Sequence, residues 1–256
     1  MQKEEIKTCE STIFEGMTSI RAVIKAIDQG LSDRRILEII FDKSKLRKIS
    51  KEIGYFRAVR DKYGFTITES DEEGINKLSL GSSHGGIIAI CTGRTLPCLC
   101  AGQIKKNGFY ALIQGIEDPY NFGYSIRSLY ACGCDGIILG ERNWMSAAGV
   151  VCRSSAGASE LIDIFTAEEN EIISVFKEKG YSIVCADERT DNVLGKCELK
   201  LPILLIVGGE KRGISRGLLD NADILVKIPY SRAFGASLSA ASAATMFAYE
   251  IMRQNG

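Results

Sequence analysis

Five short apolar runs in the C-terminal part of the chain constrain its fold more than any other feature. They lie at Phe109–Ile113, Gly136–Leu139, Ser182–Ala186, Leu201–Val207 and Ile224–Ile228. Each is nearly continuous in apolar residues, which is typical of strands in a parallel sheet that is covered on both faces. Helical patterns between the runs provide the covering layers. The sequence therefore predicts an α/β domain with a parallel sheet over residues 109–256.

The N-terminal part predicts a second, smaller α/β domain. Apolar residues at helical spacing mark Ile20–Ile27, and short strand patterns follow at Ile36–Phe41, Phe65–Thr68 and Gly86–Cys91. Residues 95–108 show no clear periodicity and contain Pro97 and Gly102. We therefore predict an N-terminal domain over residues 1–94, a linker over 95–108 and a C-terminal domain over 109–256.

The overall charge gives no support to a nucleic-acid partner. The chain has 32 Lys and Arg against 32 Asp and Glu, so its formal net charge is zero. Phosphate contacts dominate nucleic-acid affinity, and an RNA site must therefore come from local basic clusters. The pattern Leu46–Tyr63 predicts such a cluster on one helix, with Lys48 and Arg57 among its cations. A solvated helix face explains the same pattern equally well.

The cysteines and the single histidine do not predict a metal site. Nine cysteines are scattered along the chain, and the pairs Cys98/Cys100 and Cys132/Cys134 lack the usual Cys-x-x-Cys spacing. His84 lies in a glycine-rich turn without acidic or cysteine neighbours. Met1–Glu10 is polar and charged, unlike a secretory signal, and no apolar run is long enough to span a bilayer. These features predict a cytoplasmic protein with reduced thiols and neither a membrane nor a metal partner.

Ligands of doubly wound sheets bind at the carboxyl ends of the strands, and the first segment at such an end is 114–127. We expect Asn121 to cap the helix that follows, and Gly123 to allow a close backbone approach. Arg127 falls about two turns into this helix. The competing interpretation is an ordinary capped helix with an exposed arginine.

Two further segments follow later strands. In 205–213, paired glycines let a ligand lie against bare backbone amides, although the segment matches neither the P-loop nor the dinucleotide fingerprint. A simple tight turn is the alternative. In 227–242, Pro229 and a loop precede a helix rich in small residues, which Ser237 or Ser239 is expected to cap. Such a small-residue helix face also predicts packing against a second chain.

Taken together, the three segments resemble the motifs of the SpoU (TrmH) RNA 2′-O-ribose methyltransferases. Asn121–Arg127 resembles Asn-x-Gly-x-x-x-Arg, Gly208–Gly213 resembles Gly-x-Glu-x-x-Gly, and the third motif is matched by Ile228–Pro229 with Ser237–Leu238. Arg153–Ala158 resembles a Ser-Ala-Gly-Ala stretch between the first two motifs. Gly16–Ile27 and Ser83–Ile87 resemble the small ribosomal-protein-like RNA-binding domain of longer family members.

The resemblance implies a SPOUT fold with a trefoil knot and a homodimer whose site lies near the subunit interface. It implies transfer of a methyl group from S-adenosyl-L-methionine to an RNA ribose, with ribosomal RNA favoured over tRNA because of the N-terminal domain. The residues that it assigns to the cofactor are Gly208, Gly209, Gly213, Ile228 and Leu238. Those that it assigns to catalysis are Asn121, Arg127, Glu210, Ser237 and Ser239. We expect RNA contacts from Arg153, Arg232, Lys48 and Arg57.

One residue departs from the family pattern, and one role stays open. The third motif usually reads Ser-Leu-Asn, whereas here Ser239 takes the place of the asparagine and lacks its amide donor. This departure favours the alternative of a catalytically impaired RNA-binding protein. Arg127 either accepts the proton of the ribose hydroxyl or clamps a phosphate, since a guanidinium ordinarily stays protonated. A metabolic enzyme with a nucleotide cofactor is a third reading, which the missing glycine fingerprints disfavour.

Overall fold

The computed structural model describes residues 13–79, 84–140 and 147–256, which form two compact units. The first unit contains the described residues up to Thr95 together with 147–161, and the second contains 96–140 and 162–256. The charged segment Met1–Glu10 and Ser83, both used in the sequence analysis, lie outside the described residues.

The first unit contains a four-stranded mixed sheet. Its strands are β1 (Ile13–Glu15), β2 (Ile36–Asp42), β3 (Thr66–Ser70) and β4 (Ile87–Cys91), in the order β1-β4-β2-β3. The β2–β3 pair is parallel, and β4 pairs antiparallel with both β1 and β2. The helices of this unit are α1 (Gly16–Asp28), α2 (Ser50–Tyr63), α3 (Glu72–Leu78), α5 (Ala148–Ser154) and α6 (Ala158–Leu161). The predicted N-terminal α/β unit is thus present, with one strand, β1, that the sequence patterns missed.

Helices α5 and α6 belong to the first unit, although they lie within the predicted C-terminal domain. Ala148 and Cys152 are part of its apolar core beside Phe14 and Val23. Gly149 approaches β1 so closely that a Cβ there would lie 1.9 Å from the carbonyl oxygen of Ile13. The predicted boundary places 147–161 in the C-terminal domain because the segment follows a strand of that domain directly in sequence. Long-range packing, which no local pattern encodes, assigns it to the first unit.

A buried ion pair also connects this segment to the first unit. Both Nε and Nη2 of Arg34 donate to the carboxylate of Glu160, at 3.0 and 3.3 Å, and both side chains are almost fully buried. The remaining Arg34 Nη1 donates to the carbonyl oxygen of Thr92 at 2.9 Å. The guanidinium also lies 4.9 Å from the ring centroid of Phe14. The charge is therefore compensated on several sides, as a buried ion requires.

The second unit contains a six-stranded sheet in which every neighbouring pair is parallel. Its strands are β5 (Phe109–Gln114), β6 (Gly136–Leu139), β7 (Asp163–Thr166), β8 (Ser182–Ala186), β9 (Ile203–Gly208) and β10 (Ile224–Val226). They lie in the order β10-β8-β9-β5-β6-β7. This arrangement confirms the predicted parallel sheet, because the five apolar runs form five of the six strands. The strand missed was β7, a four-residue edge strand.

The helices of the second unit cover this sheet. They are α4 (Pro119–Ala131), α7 (Glu169–Glu178), α8 (Arg216–Leu219) and α9 (Ala240–Asn255). Helices α4 and α9 pack against each other, with Thr245 Oγ1 donating to Ser128 Oγ at 2.7 Å. On the other side, Phe176 of α7 is fully buried among Tyr110, Tyr181 and the strands.

Residues 96–108 do not form a free linker but part of the second unit. Leu99 and Ile104 are buried in its core, and a 3-10 turn spans Ala101–Gln103. The N–H of Leu99 donates to the carbonyl oxygen of Thr166 at 2.9 Å, which attaches the segment to β7. The segment shows no periodicity because individual residues, such as Leu99 and Ile104, contact the rest of the unit, and the segment forms no long helix or strand. The trefoil knot implied by the family resemblance stays a prediction.

Candidate functional site

A cavity of about 780 Å³ lies at the carboxyl ends of β8, β9 and β10. Its walls come from the chain that follows each of these strands and from the start of α9: Ala186–Arg189, Val207–Ile214, Val226–Tyr230, Ser237, Leu238, Ala240, Ala243 and Phe247. This cavity is called the larger cavity. All five residues predicted to hold a cofactor line it: Gly208, Gly209, Gly213, Ile228 and Leu238. The structure thus brings the second and third predicted segments together around one space.

The glycines of the second segment are required by close backbone packing. A Cβ on Gly208 would lie 2.4 Å from the carbonyl carbon of Gly213, and a Cβ on Gly209 would lie 2.0 Å from the carbonyl oxygen of Gly115. The loop closes on itself through the N–H of Gly213, which donates to the carbonyl oxygen of Gly209 at 2.9 Å. Gly213 has a φ of +63°, in the left-handed region that favours glycine.

A smaller cavity of about 230 Å³ adjoins the larger one, because Glu210, Lys211 and Ala240 line both. Its other residues come from the first predicted segment: Gly115, Ile116, Glu117, Asp118 and Asn121. Two predicted catalytic residues, Asn121 and Glu210, therefore lie on the same small space. Across it, Lys211 Nζ donates to the Glu117 carboxylate, and this hydrogen bond lowers the pKa of Glu117.

The predicted cap of α4 was wrong by three residues. Asp118 caps the helix, accepting from the N–H of Tyr120 and of Asn121 at 3.2 and 3.1 Å, and Pro119 occupies the first helical position. A carboxylate cap followed by proline is a strong helix start, which the prediction overlooked. Asn121 consequently lies within the first turn. Asn121 is not the cap residue, and it lines the smaller cavity.

Ser239 caps α9, which confirms one of the two predicted caps. Its Oγ accepts from the N–H of Ser242 at 3.2 Å. Serine and asparagine are comparable cap residues, so the departure from the family motif preserves the helix start. Ser237 is exposed on the cavity wall, and the N–H of Leu238 donates to the hydroxyl of Tyr230 at 3.1 Å. That bond ties together the two sides of the third segment.

Two cavity residues that follow β8 were not predicted from the sequence. Asp187 and Arg189 line the larger cavity, where Nε and Nη2 of Arg189 donate to the Asp187 carboxylate at 3.0 and 2.7 Å. These hydrogen bonds lower the pKa of Asp187 and keep it ionised. The available signal was the charged triplet 187–189 directly after an apolar strand.

Other predicted site residues lie outside both cavities. Arg127 is exposed on α4, and Arg232 is exposed in the loop before α9. In the first unit, Lys48 and Arg57 are exposed, whereas Arg153 donates to the Glu15 carboxylate at 2.5 Å. The ion pair gives Arg153 a structural contact that the sequence did not indicate.

Within the described parts of the chain, no group of three or more His, Cys, Asp or Glu side chains is arranged to hold a metal ion. No described helix combines the length and apolar character needed to cross a membrane.

Comparisons with known proteins agree with this architecture. Residues 108–249 match the model of the SpoU rRNA Methylase family. A putative TrmH family tRNA/rRNA methyltransferase of Bacillus subtilis is 24% identical over 229 residues, covering 87% of this chain and 90% of that protein.

Solved structures share the fold. The SpoU methyltransferase AviRb of Streptomyces viridochromogenes, crystallised with AdoMet, superposes with a TM-score of 0.79 at 19% identity, covering 98% of this chain and 97% of that one. An AdoMet-bound rRNA methyltransferase of Sinorhizobium meliloti gives 0.78 at 22% identity, with 98% and 93% covered. Identities this low show the shared fold alone. The family match spans more than half of the chain, and the chain therefore belongs to the SpoU rRNA methylase family as an RNA methyltransferase.

Proposed function

We propose that this protein transfers a methyl group from S-adenosyl-L-methionine to a ribose 2′-hydroxyl of RNA, with ribosomal rather than transfer RNA as its substrate. The observation that carries the proposal is the pair of adjoining cavities, one lined by the glycine loop and one by Asn121, with Glu210 on both. One cavity thus suits a methyl donor and its neighbour a methyl acceptor. The relatives are named as tRNA/rRNA and rRNA methyltransferases, which supports the substrate class.

The larger cavity fits the proposed cofactor in size and chemistry. Its volume lies within the range of about 300–1,000 Å³ typical of small-molecule sites. Apolar side chains, among them Val207, Ile228 and Phe247, suit an adenine ring, while bare backbone at Gly208 and Gly209 permits close approach. The Asp187 carboxylate offers a partner for a cationic group. When bound, S-adenosyl-L-methionine supplies an electrophilic methyl group.

The residues of the chain have three tasks in this reaction. The glycine loop and Leu238 hold the donor by their backbones, and Asn121 and Glu210 orient the ribose in the smaller cavity. Ser237 lines the larger cavity, and Ala240, which directly follows the helix cap Ser239, lines both cavities. Arg127 either accepts the proton of the ribose hydroxyl or holds the adjacent phosphate. Both roles require the planar guanidinium group.

The expected result for Arg127→Lys is a loss of turnover of about 100-fold with unchanged affinity for the methyl donor, because lysine keeps the charge but loses the planar, two-pronged guanidinium. Turnover is measured with radiolabelled S-adenosyl-L-methionine and unmodified transcripts of ribosomal RNA and tRNA. Donor affinity is measured by calorimetric titration, which also includes the demethylated product. Arg216→Lys, at a side chain that is 91% exposed, is the matched control.

The same assay decides among the candidate functions. Methylation of the 2′-oxygen makes the next phosphodiester resistant to alkali, so labelled dinucleotides after alkaline hydrolysis support the proposal. Label in single nucleotides would place the methyl group on a base instead. Donor binding and RNA binding without transfer would favour a catalytically impaired RNA-binding protein, and near-normal turnover of Arg127→Lys would contradict both roles given to this arginine.

We propose that the basic surface of the first unit binds RNA. Five exposed cations between positions 43 and 57 have no ion pair within the described residues: Lys43, Arg47, Lys48, Lys51 and Arg57. Two other exposed cations of this unit, Lys62 and Lys77, are instead paired with acidic neighbours. Unpaired cations release more counterions from RNA and therefore bind phosphates better. A neutral total charge is compatible with such a local surface.

Charge reversal at two of these positions, Lys48→Glu with Arg57→Glu, tests that surface. If each side chain contacts one phosphate, the slope of log affinity against log salt falls by about 1.4 or more. The control reverses Lys62 and Lys77, which are already neutralised by Asp28 and Glu73. Equal salt slopes for the two double variants would exclude RNA binding by this surface.

We also propose a homodimer formed through α4 and α9. These packed helices carry six exposed large apolar side chains: Tyr120, Tyr124, Tyr130, Met246, Tyr249 and Met252. Exposed apolar side chains concentrated on two packed helices favour an interaction surface over a solvated one. Arg127 is exposed on α4, between Tyr124 and Tyr130 in sequence. Sedimentation equilibrium of the purified protein tests the proposal, and a monomer at micromolar concentration would contradict it.

A further inference from the structure

Gln114 holds both ends of the loop that carries the glycine motif. It is the last residue of β5 and pairs with Gly208 of β9. Its carbonyl oxygen accepts from the N–H of Gly209 at 2.6 Å, where the loop begins. Its side-chain Oε1 accepts from the N–H of Ser215 at 2.8 Å, where the loop ends. The geometry of the loop therefore depends on the orientation of one amide side chain.

Glu169, the first residue of α7, sets that orientation. A glutamine amide has a donor end and an acceptor end, which a half-turn exchanges. Gln114 Nε2 donates to Glu169 Oε1 at 2.6 Å, and Ser215 Oγ donates to Glu169 Oε2 at 2.7 Å. An ionised carboxylate only accepts, so it directs Nε2 of Gln114 toward itself and leaves Oε1 for the Ser215 N–H. The helix N-terminus favours a negative charge at this position.

These three side chains act from behind the larger cavity. Gly208–Ile214 line that cavity. Gln114, Glu169 and Ser215 are not among the described residues that line it. Ser215 also caps α8, since its Oγ accepts from the N–H of Leu218 at 3.4 Å. The same hydroxyl thus joins the end of the loop, the start of α8 and the start of α7. Any loosening of this network reaches the cavity through the loop backbone.

We propose that Gln114, Glu169 and Ser215 form a clamp that positions the Gly208–Gly213 loop for the cofactor. The inference rests on the proposed cofactor site. All three are positioning residues, because they act through the loop backbone and not on the reacting atoms. A loop without the clamp must be ordered when the cofactor binds, and this ordering lowers affinity. Once the cofactor is bound the loop is in place, so turnover at saturation is retained.

Gln114→Glu breaks the clamp while keeping side-chain size and the acceptor for Ser215. It places two carboxylates at the distance of the present 2.6 Å hydrogen bond, and like charges this close repel. We expect affinity for S-adenosyl-L-methionine to fall about tenfold, with kcat within about threefold of wild type. In the cofactor-free protein, hydrogen exchange at the Ser215 amide should be about tenfold faster, while amides within the β5–β9 pair keep their rates.

The double variant Gln114→Glu with Glu169→Gln restores the clamp with its polarity reversed. The amide now at position 169 donates to the carboxylate at position 114, which still accepts from the Ser215 N–H. The amide oxygen at 169 accepts from Ser215 Oγ, so all three hydrogen bonds are kept and the net charge is unchanged. We expect the affinity for S-adenosyl-L-methionine and the rate of hydrogen exchange at the Ser215 amide to lie within about threefold of wild type. Glu178→Gln, at the exposed end of the same helix, is the control for the negative charge that the double variant removes from α7.

If the double variant restores cofactor affinity and hydrogen exchange, the effect of Gln114→Glu is one of positioning. General destabilisation would instead become larger with two substitutions than with one. A double variant no better than Gln114→Glu alone would overturn the clamp, as would wild-type exchange at Ser215 in the single variant. Hydrogen exchange is measured without cofactor, so it tests the clamp even if the wild-type protein binds no S-adenosyl-L-methionine. Failure of the proposed function would appear as absent wild-type binding, and failure of the clamp as unchanged exchange.

Discussion

Gly209→Ala is expected to abolish measurable binding of S-adenosyl-L-methionine and to destabilise the second unit. The added Cβ would lie 2.0 Å from the carbonyl oxygen and 2.5 Å from the carbonyl carbon of Gly115, both of which are backbone atoms. The ends of β5 and β9 cannot move apart easily, because the Gly209 N–H donates to the carbonyl oxygen of Gln114 at 2.6 Å. Overpacking of this kind costs about 1–3 kcal/mol, and here the displaced loop is the cavity wall.

Calorimetric titration and thermal unfolding measure the two effects of Gly209→Ala. Gly140→Ala is a matched control, since Gly140 also follows a strand of the same sheet and a Cβ there would meet no atom of the described residues within 4 Å. The control should bind the cofactor and unfold like wild type. Normal binding by Gly209→Ala would show that the loop does not form the cofactor site.

Glu160→Ala is expected to lower the free energy of unfolding of the first unit by about 3–5 kcal/mol. The substitution leaves the Arg34 guanidinium, which is almost fully buried, with the Thr92 carbonyl oxygen and the Phe14 ring as partners. A buried charge without its counterion is far more costly than the loss of the pair itself. The segment 147–161 would also lose its charged contact with Arg34.

Chemical denaturation, combined with hydrogen exchange at the β2 and β4 amides, measures this loss. Asp61→Ala removes one partner of the exposed Arg60–Asp61 pair in the same unit, and about 1 kcal/mol or less is expected there. Replacing both buried partners, Arg34→Met with Glu160→Leu, should recover much of the stability because no unpaired charge remains. Equal losses for Glu160→Ala and Asp61→Ala would mean that the buried pair contributes no more than a surface one.

The sequence predicted best where one strand or helix determines its own pattern. The apolar runs Gly136–Leu139 and Ser182–Ala186 coincide with β6 and β8, because strands buried on both faces need apolar residues at every position. The short strands β1 and β7 were missed, since three or four residues carry too little pattern. The start of α4 was misplaced because Asn121 and Asp118 are both good caps, and the choice of Asp118 depends on Pro119.

Some residues of the candidate site could likewise be predicted from local sequence, and others could not. Gly208 and Gly209 could be predicted because a glycine pair after a buried strand is a local signal of close backbone approach. Asp187 and Arg189 could not, because a charged triplet after a strand resembles any exposed loop until the structure places it on the cavity wall. Gln114 and Glu169 are 55 residues apart, and neither is unusual in its local sequence.

By itself the sequence determined the parallel α/β sheet, the three segments at its carboxyl edge and the family to which they belong. These depend on side-chain periodicity and on glycine backbone freedom, both of which are properties of contiguous residues. The tertiary structure alone decided that 147–161 packs with the N-terminal strands, that 96–108 is part of the second unit, and that two cavities share Glu210. These features arise from contacts between residues far apart in sequence, such as Arg34 with Glu160, and burial rather than local pattern selects them.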